Sequence, residues 1–285
     1  MFIGNFIMKE NGVIKISENV AELVGIILGD GCISINNRYS ELALCGDITE
    51  EKPYYENYVV PLLNRCLKSI LKNKIEGKEV VSNGVYGVHI FDEGVVNCLL
   101  ELGLKKSPKV DIVIPKRFIS NRFLKHTLRG LFDTDGSIYF EKNLEGKHTI
   151  PKIKLGSTSK KLVNQLAKIL KNLNFKPYLP KPYKGKRDMR KMYYIRLSRR
   201  EDVERWIEFI GFNSSKHLTK IELWRKTGIC PPYTTLALRK EMIKKVYKSN
   251  KCKLFYAGVS ESGKRAGSFS WEENLGKEVL NLSSG

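Results

Sequence analysis

One stretch of nine residues occurs twice, and it limits what this chain can fold into more than any other feature. The first copy, residues 23–31, reads Leu-Val-Gly-Ile-Ile-Leu-Gly-Asp-Gly, and the second, residues 128–136, reads Leu-Arg-Gly-Leu-Phe-Asp-Thr-Asp-Gly. Each has a Gly at its third position, apolar neighbours and a closing Asp-Gly. Both read as short, buried helices, because water rejects Val24, Ile26, Ile27 and Leu28 together. Ser17 is expected to cap the first, with Glu18 in its opening turn; Ser120 or Asn121 starts the second. Gly25 and Gly29 stand four apart and share one helix face, as do Gly130 and Thr134. Small residues there let two helix backbones approach closely, so these four positions are the expected helix interface.

The ends of the two helices pose an electrostatic problem. Gly31 and Gly136 are expected to take the left-handed conformation that terminates a helix. Asp30 and Asp135 then fall in the last turn, where the helix dipole is already negative. Two such helices side by side also bring the carboxylates together, adding like-charge repulsion. Hard divalent cations held by oxygen ligands would offset it. On this reading Asp30 and Asp135 are the metal ligands, and the neighbouring backbone carbonyls of Gly29 and Thr134 complete the shell. A single Asp-Gly is more simply a turn after a core helix; two copies with matching faces and flanks favour a functional pair.

Asp30 and Asp135 lie 105 residues apart, about one small domain. The flanks repeat too. After the first motif come alternating strands at residues 32–36 and 41–45, a helix at 52–71 that Pro61 bends, a strand at 85–91 and an amphipathic helix at 92–102 ended by Gly103. A basic, Pro-punctuated connection, 105–115, follows. After the second motif come strands at 137–141 and 152–156, a helix at 160–173, a strand at 193–198 and a helix at 201–210 ended by Gly211. The unit duplicated is a whole fold. The expected class is α+β: two pseudo-symmetric αββαβα half-domains, residues 1–116 and 117–228, with antiparallel sheets and the motif helices at their interface. Pro231-Pro232 breaks the chain, and 229–285 reads as a basic extension with a helix at 235–247 and a Gly/Ser/Lys end.

The paired stretches resemble the two motifs of LAGLIDADG homing endonucleases in their single-chain form, over about residues 15–228. In that family the last Asp of each motif carries the metal chemistry, which implies Asp30 and Asp135 as catalytic residues. The consensus' first Asp maps to Leu28 and Asp133 and is kept only in the second copy. The family often places a Lys or Gln shortly after the second strand; here those places hold Gly46 and Asp47, and Ser157 and Thr158, so Lys152 and Lys154 are the expected substitutes. The resemblance further implies a monomer that cuts a long, specific, partly asymmetric double-stranded DNA site with Mg²⁺, Mn²⁺ or Ca²⁺ substituting in binding, and a DNA-binding saddle formed by the two sheets.

Composition agrees with a polyanionic partner. Lys and Arg total 50 against 30 for Asp and Glu, a formal +20. The six cysteines form no Cys-x-x-Cys pair and fit core packing in a reducing compartment. No apolar run is long enough to span a membrane, and no signal peptide is read. The expected location is intracellular: cytoplasm, nucleoid or an organelle matrix.

Alternation assigns the face that meets DNA. In the second half it carries Ser137, Tyr139, Glu141, Lys152, Lys154, Tyr194, Arg196 and Ser198. In the first it carries Cys32, Ser34, Asn36, Glu41, Ala43, Gly87, His89 and Phe91. A twisted antiparallel ribbon fits the major groove, where Arg196 is suited to guanine and Asn36 to adenine. The loop at 180–191, with Arg187 and Arg190, is the densest basic run and suits phosphates. Two rivals share the scaffold: a splicing maturase that binds intron RNA, and a non-cutting DNA-binding regulator. Retention of both acids argues for the nuclease over each. An intein is disfavoured by the absence of a His-Asn end and of a leading Cys or Ser.

Overall fold

The structure, a computed structural model, describes residues 8–10, 13–71, 73–80, 83–186 and 189–257. It divides into two units, residues 1–240 and 241–285. The first holds both motifs and both large sheets.

At the centre of that unit are α1, Glu18–Gly29, and α5, Asn121–Thr134. Ser17 caps α1, its hydroxyl accepting from the Val20 N–H at 3.2 Å. Ser120 is the cap residue of α5 but makes no side-chain cap bond. Residues 20–29 are buried without a break, so α1 has no solvent face. The helices cross at the glycines. A Cβ on Gly25 would stand 2.2 Å from the carbonyl oxygen of Thr127, and one on Gly130 2.3 Å from that of Glu22. Any side chain at either place would push backbone from backbone.

Each helix turns directly into a sheet. β3 (Gly31–Ile35) follows α1, and β7 (Gly136–Lys142) follows α5. Gly31 and Gly136 do not take the expected left-handed conformation. They are the first strand residues, and glycine is needed for space: a Cβ there would meet the Ile27 carbonyl oxygen at 2.6 Å and that of Phe132 at 2.2 Å. Left-handed glycines instead end later helices, at Gly103 and Gly211.

The first sheet has strand order β3-β4-β6-β5, with β4 at Ser40–Asp47, β5 at Lys78–Val80 and β6 at Val85–Phe91. The second has order β7-β8-β9, with β8 at His148–Ser157 and β9 at Tyr193–Leu197. All pairings are antiparallel. Between β4 and β5 the chain is helical: α2 (Lys52–Tyr54), a π-helical turn (Tyr55–Val59) and α3 (Val60–Leu67). The π turn ends two residues before Pro61, which has no N–H to give to an α-helical bond. α3 ends at Leu67, four residues short of the expected 52–71 helix. α4 (Glu93–Glu101), α6 (Lys160–Asn172) and α7 (Arg200–Phe209) fall where the repeat requires them.

Four features depart from these expectations. β5 is a three-residue edge strand with no room for alternation. A short hairpin of β1 (Met8–Glu10) and β2 (Val13–Lys15) precedes α1. α8 (Ser215–Thr227) begins where the Asp133 carboxylate accepts N–H bonds from Asn213 and Ser214 at 2.9–3.1 Å. An acid at a helix N-terminus is favourable, so the consensus Asp kept only in the second copy has a structural use there. α9 (Leu236–Ala257) extends well past the expected 247.

The apolar faces of the sheets make the core: Ile33, Leu42, Leu44 and Val88 in one, Ile138, Ile153, Leu155, Ile195 and Leu197 in the other, all 2% exposed or less. The opposite faces carry the residues that alternation assigned to them, except Asn36, which lies past the end of β3.

Candidate active site

Asp30 is the C-cap of α1 and Asp135 the C-cap of α5. The Asp30 N–H closes on Ile26 O at 2.9 Å and the Asp135 N–H on Leu131 O at 3.1 Å, so both backbones are tied to their helices. The helix tips meet: a Cβ on Gly29 would fall 1.9 Å from Thr134 Oγ1 and 3.4 Å from the Asp135 nitrogen. Gly29 is thus what allows the two acids to approach. Thr134 turns its hydroxyl back into its own helix, donating toward Gly130 O and Leu131 O at 3.0 and 3.1 Å.

Four further side chains complete the site. Tyr55, fully buried in the π turn, donates its hydroxyl to Asp30 Oδ2 at 2.8 Å. Lys109, from the connection after α4, donates to the carbonyls of Leu28 (3.2 Å) and Gly29. Glu51 accepts from the Asp47 N–H at 2.8 Å and pairs with Lys216 of α8.

The charges act on one another. Burial pushes the Asp30 carboxyl up, and the carboxylates of Glu51 and Asp135 push it further; the Tyr55 bond and Lys216 oppose them, leaving it at about 7. Asp135 is open to solvent on one side, and burial on the others raises it to about 6 against the pull of Lys109 and Lys216. Burial lowers Lys109, with both aspartates drawing it back. Two acids that cannot comfortably ionise together, at touching helix ends, are the donor set a divalent cation would relieve. The Gly29 carbonyl, expected to complete the shell, accepts from the Lys109 ammonium instead. Among the described residues no group of three or more His, Cys, Asp or Glu side chains surrounds a common point, so the fit rests on this carboxylate pair.

Sequence reasoning missed Tyr55, Glu51, Lys109 and Lys216. They come from three separate segments, and only Glu51 and Tyr55 lie at or in a repeated element, the helix expected at 52–71. Lys109 and Lys216 each follow the glycine that ends a helix, Gly103 and Gly211, and that parallel was the available signal. Lys152 and Lys154, the expected helper cations, stand on the outer face of the second sheet. Lys152 donates to Ser198 O at 2.6 Å and faces Glu141 at 3.6 Å; the Lys154 ammonium sits 5.4 Å from the Tyr139 ring centre.

The other expected contacts are placed as follows. Ser34, His89, Tyr139, Tyr194, Arg196 and Ser198 share the outer sheet faces and are half-buried or exposed. Asn36 lies past the end of β3, where its Oδ1 accepts the N–H groups of Arg38 (2.8 Å) and Tyr39 (3.0 Å) and closes the hairpin. Its oxygen is therefore engaged in a turn. Arg190 is exposed in the loop before β9; Arg187 lies outside the described residues.

Residues 122–211, which contain the second motif and most of the second half, match the LAGLIDADG-like domain. No curated protein matches the chain in sequence. Among solved structures, a variant of I-DmoI in complex with its target DNA, nicked in the coding strand, in the presence of manganese, is 13% identical at a TM-score of 0.50; the alignment covers 68% of this chain and 95% of that one. A variant of I-SmaMI is 13% identical at 0.47, covering 87% and 99%. The homing endonuclease I-WcaI bound to its DNA recognition sequence is 16% identical at 0.42, covering 70% and 84%. Residues 122–211 are thus similar to a LAGLIDADG-like domain, and the first half of the chain repeats the motif that this domain contains.

Proposed function

We propose that the protein is a site-specific double-strand DNA endonuclease of the homing type, acting as a monomer on a long duplex site. The observation that carries this reading is the meeting of two helix tips, each ending in an acid, beside the polar faces of two antiparallel sheets. Asp30 and Asp135 are the catalytic residues and would hold the divalent cation, Mg²⁺ in the cell with Mn²⁺ or Ca²⁺ able to bind. Gly29 O and the Thr134 carbonyl lie next to them. Such a cation supplies Lewis-acid polarisation of the phosphate and lowers the pKa of water.

The chain's own groups do the rest. Tyr55 fixes the Asp30 carboxylate, leaving Oδ1 free of that bond. Lys109 and Lys216 draw both acids toward the charged form that ligation needs. They also place positive charge beside the acids, where it would favour the negative charge that builds on a phosphate held there. Glu51 holds Lys216 in the site. The sheet faces bind the duplex, and the excess of Lys and Arg neutralises its phosphates.

Asp30→Asn and Asp135→Asn test the reading. Each variant is expected to bind duplex DNA as the parent does, and to lose double-strand cleavage by at least a hundredfold in Mg²⁺. Full cutting by both single variants overturns it. Binding of structured RNA in preference to duplex DNA would favour the maturase instead.

A further inference from the structure

The two sheets offer DNA different surfaces, and the pairing registers make the difference exact in position. In the second sheet Ser137 lies opposite Lys154, and Lys154 opposite Arg196; Tyr139 lies opposite Lys152. In the first sheet Cys32 lies opposite Ala43, and Ala43 opposite His89; Ser34 lies opposite Glu41. Counted from the motif glycines Gly31 and Gly136, the repeat therefore sets Arg196 against His89, Lys154 against Ala43, Tyr139 against Ser34 and Lys152 against Glu41.

Arg196 is held unusually firmly for a surface arginine. Its backbone is bonded on both sides, to β8 and to Tyr178, whose carbonyl accepts the Arg196 N–H at 2.9 Å. Its guanidinium lies 5.9 Å from the Tyr139 ring centre, and the Lys154 ammonium 5.4 Å from the same ring. Its Nε is sealed from solvent and has no hydrogen-bond partner. The side chain as a whole is 33% exposed, so that exposure belongs to the rest of the side chain and not to Nε. The nearest carboxylate, Glu141, stands 3.7 Å from NH1, beyond hydrogen-bond range. A fork of donors is thus pre-set, steadied on an aromatic ring, and short of acceptors.

At the matching place in the first sheet, His89 gives its Nδ1 side to Glu41 at 2.6 Å and stacks beside Phe91, which is 62% exposed. That surface is acidic and apolar where the other is cationic.

We propose that Arg196, steadied on Tyr139 beside Lys154, reads a guanine through its O6 and N7 edge in the major groove, making the half-site under β7–β9 the guanine-specified half of a lopsided target. The inference rests on the DNA-binding part of the proposed function and deepens it. The planar fork matches two acceptors on one base, which the Lys154 point charge beside it cannot do alone. Because the ring already restrains the guanidinium, less side-chain freedom is lost on binding. Under β3–β6 the Phe91 and Ala43 surface suits thymine methyl groups and offers no fork.

The test is a selection from a randomised duplex library with the full chain, run twice: on duplexes bound in Ca²⁺ and on duplexes cut in Mg²⁺. The parent is expected to require guanine at one or two positions in one half only. Arg196→Gln is expected to lower that guanine preference by about 10- to 100-fold and to move it toward adenine, the base a carboxamide pairs with. Arg196→Lys, which keeps the charge, is expected to retain a weaker guanine preference. An unchanged base profile in Arg196→Gln, guanine preference spread equally over both halves, or bound duplexes with no base preference would each overturn the proposal. A guanine-specified bound pool from which nothing is cut supports the proposal and overturns only the nuclease reading.

Discussion

Glu22 shows how much a single side chain at the helix crossing has to carry. It is 2% exposed, yet its carboxylate accepts from Arg129 NH2 at 2.6 Å, Arg129 Nε at 3.1 Å, Tyr58 Oη at 2.7 Å and Asn213 Nδ2 at 2.6 Å. Burial alone would raise this acid; the bonds from His126, Arg129 and Tyr58 and the Arg129 charge override it and hold it at about 2. The sign follows. A carboxyl whose folded pKa lies below the ordinary value adds stability above that value and loses it as pH falls toward the folded pKa. For Glu22 the window runs from 4.5 down to about 2. Glu22→Gln leaves the largely buried Arg129 without its paired carboxylate, and is expected to cost about 3 kcal/mol at neutral pH. Urea midpoints taken across that window check both parts. The variant should lie well below the parent at pH 7, and the gap should narrow as the pH approaches 2. A gap that stays constant with pH would mean the charge of Glu22 contributes nothing.

Among the elements, the crossing of α1 and α5 is the one with least tolerance. Gly25→Val sets a branched side chain against the Thr127 carbonyl and the Leu131 nitrogen, both backbone atoms that cannot swing aside. Overpacking of this kind costs about 1–3 kcal/mol, and more where backbone must move. The variant is also expected to cut DNA slowly even where it is fully folded, because separating the helices separates the acids at their tips; circular dichroism with a cleavage assay at low temperature distinguishes the two losses. This crossing was legible in the sequence, since Gly25 and Gly29 recur on one face of an apolar helix and Gly130 stands at the matching place in the second motif. So were the sheet faces, because period-two alternation survives wherever one side is buried. β5 was not legible, as Lys78, Glu79 and Val80 form an edge strand defined only by its pairing with β6. Nor was α8, whose buried face includes His217 and Thr219 and so lacks a clean apolar stripe. The cations of the site escaped for a related reason: Lys109 and Lys216 sit in segments without periodicity, and only the tertiary fold brings them to Asp30 and Asp135. The start of α9 is a further such case. Arg239 is fully buried, with its Nε on Thr219 Oγ1 at 3.0 Å and its NH2 paired to Glu50, whose other oxygen takes the Leu236 N–H at 2.6 Å. That ties α9 to the residue beside Glu51. Arg239→Met is expected to cost about 3–5 kcal/mol by stranding Glu50, and Arg239→Met with Glu50→Gln to cost less than the single change. Denaturation of these two variants and of Glu50→Gln alone closes the cycle; strict additivity would show that the pair does not couple.

At the scale of the whole molecule, the two motif helices make the halves depend on each other. Residues 20–29 are buried without interruption, and part of that cover is α5, contributed by the other half of the repeat. Remove α5, and the face of Gly25 and Gly29 is left bare together with the apolar residues around it. The half-sequence would then expose a continuous apolar helix surface, which water disfavours by about 25 cal/mol for each square ångström. A polypeptide ending at residue 116 has one close substitute for the missing surface, namely α1 of a second copy, since Gly25 and Gly29 are as suited to each other as to Gly130 and Thr134. Such a pairing is isologous and closes on itself, so it predicts a dimer and not an open chain. Residues 1–116 expressed alone are therefore expected to sediment as a dimer or to aggregate. Gly25→Val in that fragment should abolish the dimer, because the second side chain doubles the clash. The full chain, with α1 already covered, should sediment as a monomer at the same concentration. Sedimentation velocity on the three proteins decides the matter: a folded, monomeric fragment with an unbroken helical spectrum would mean that α1 is sufficiently covered by its own half, and that the two acids are brought together by the sheets and not by the helix pair.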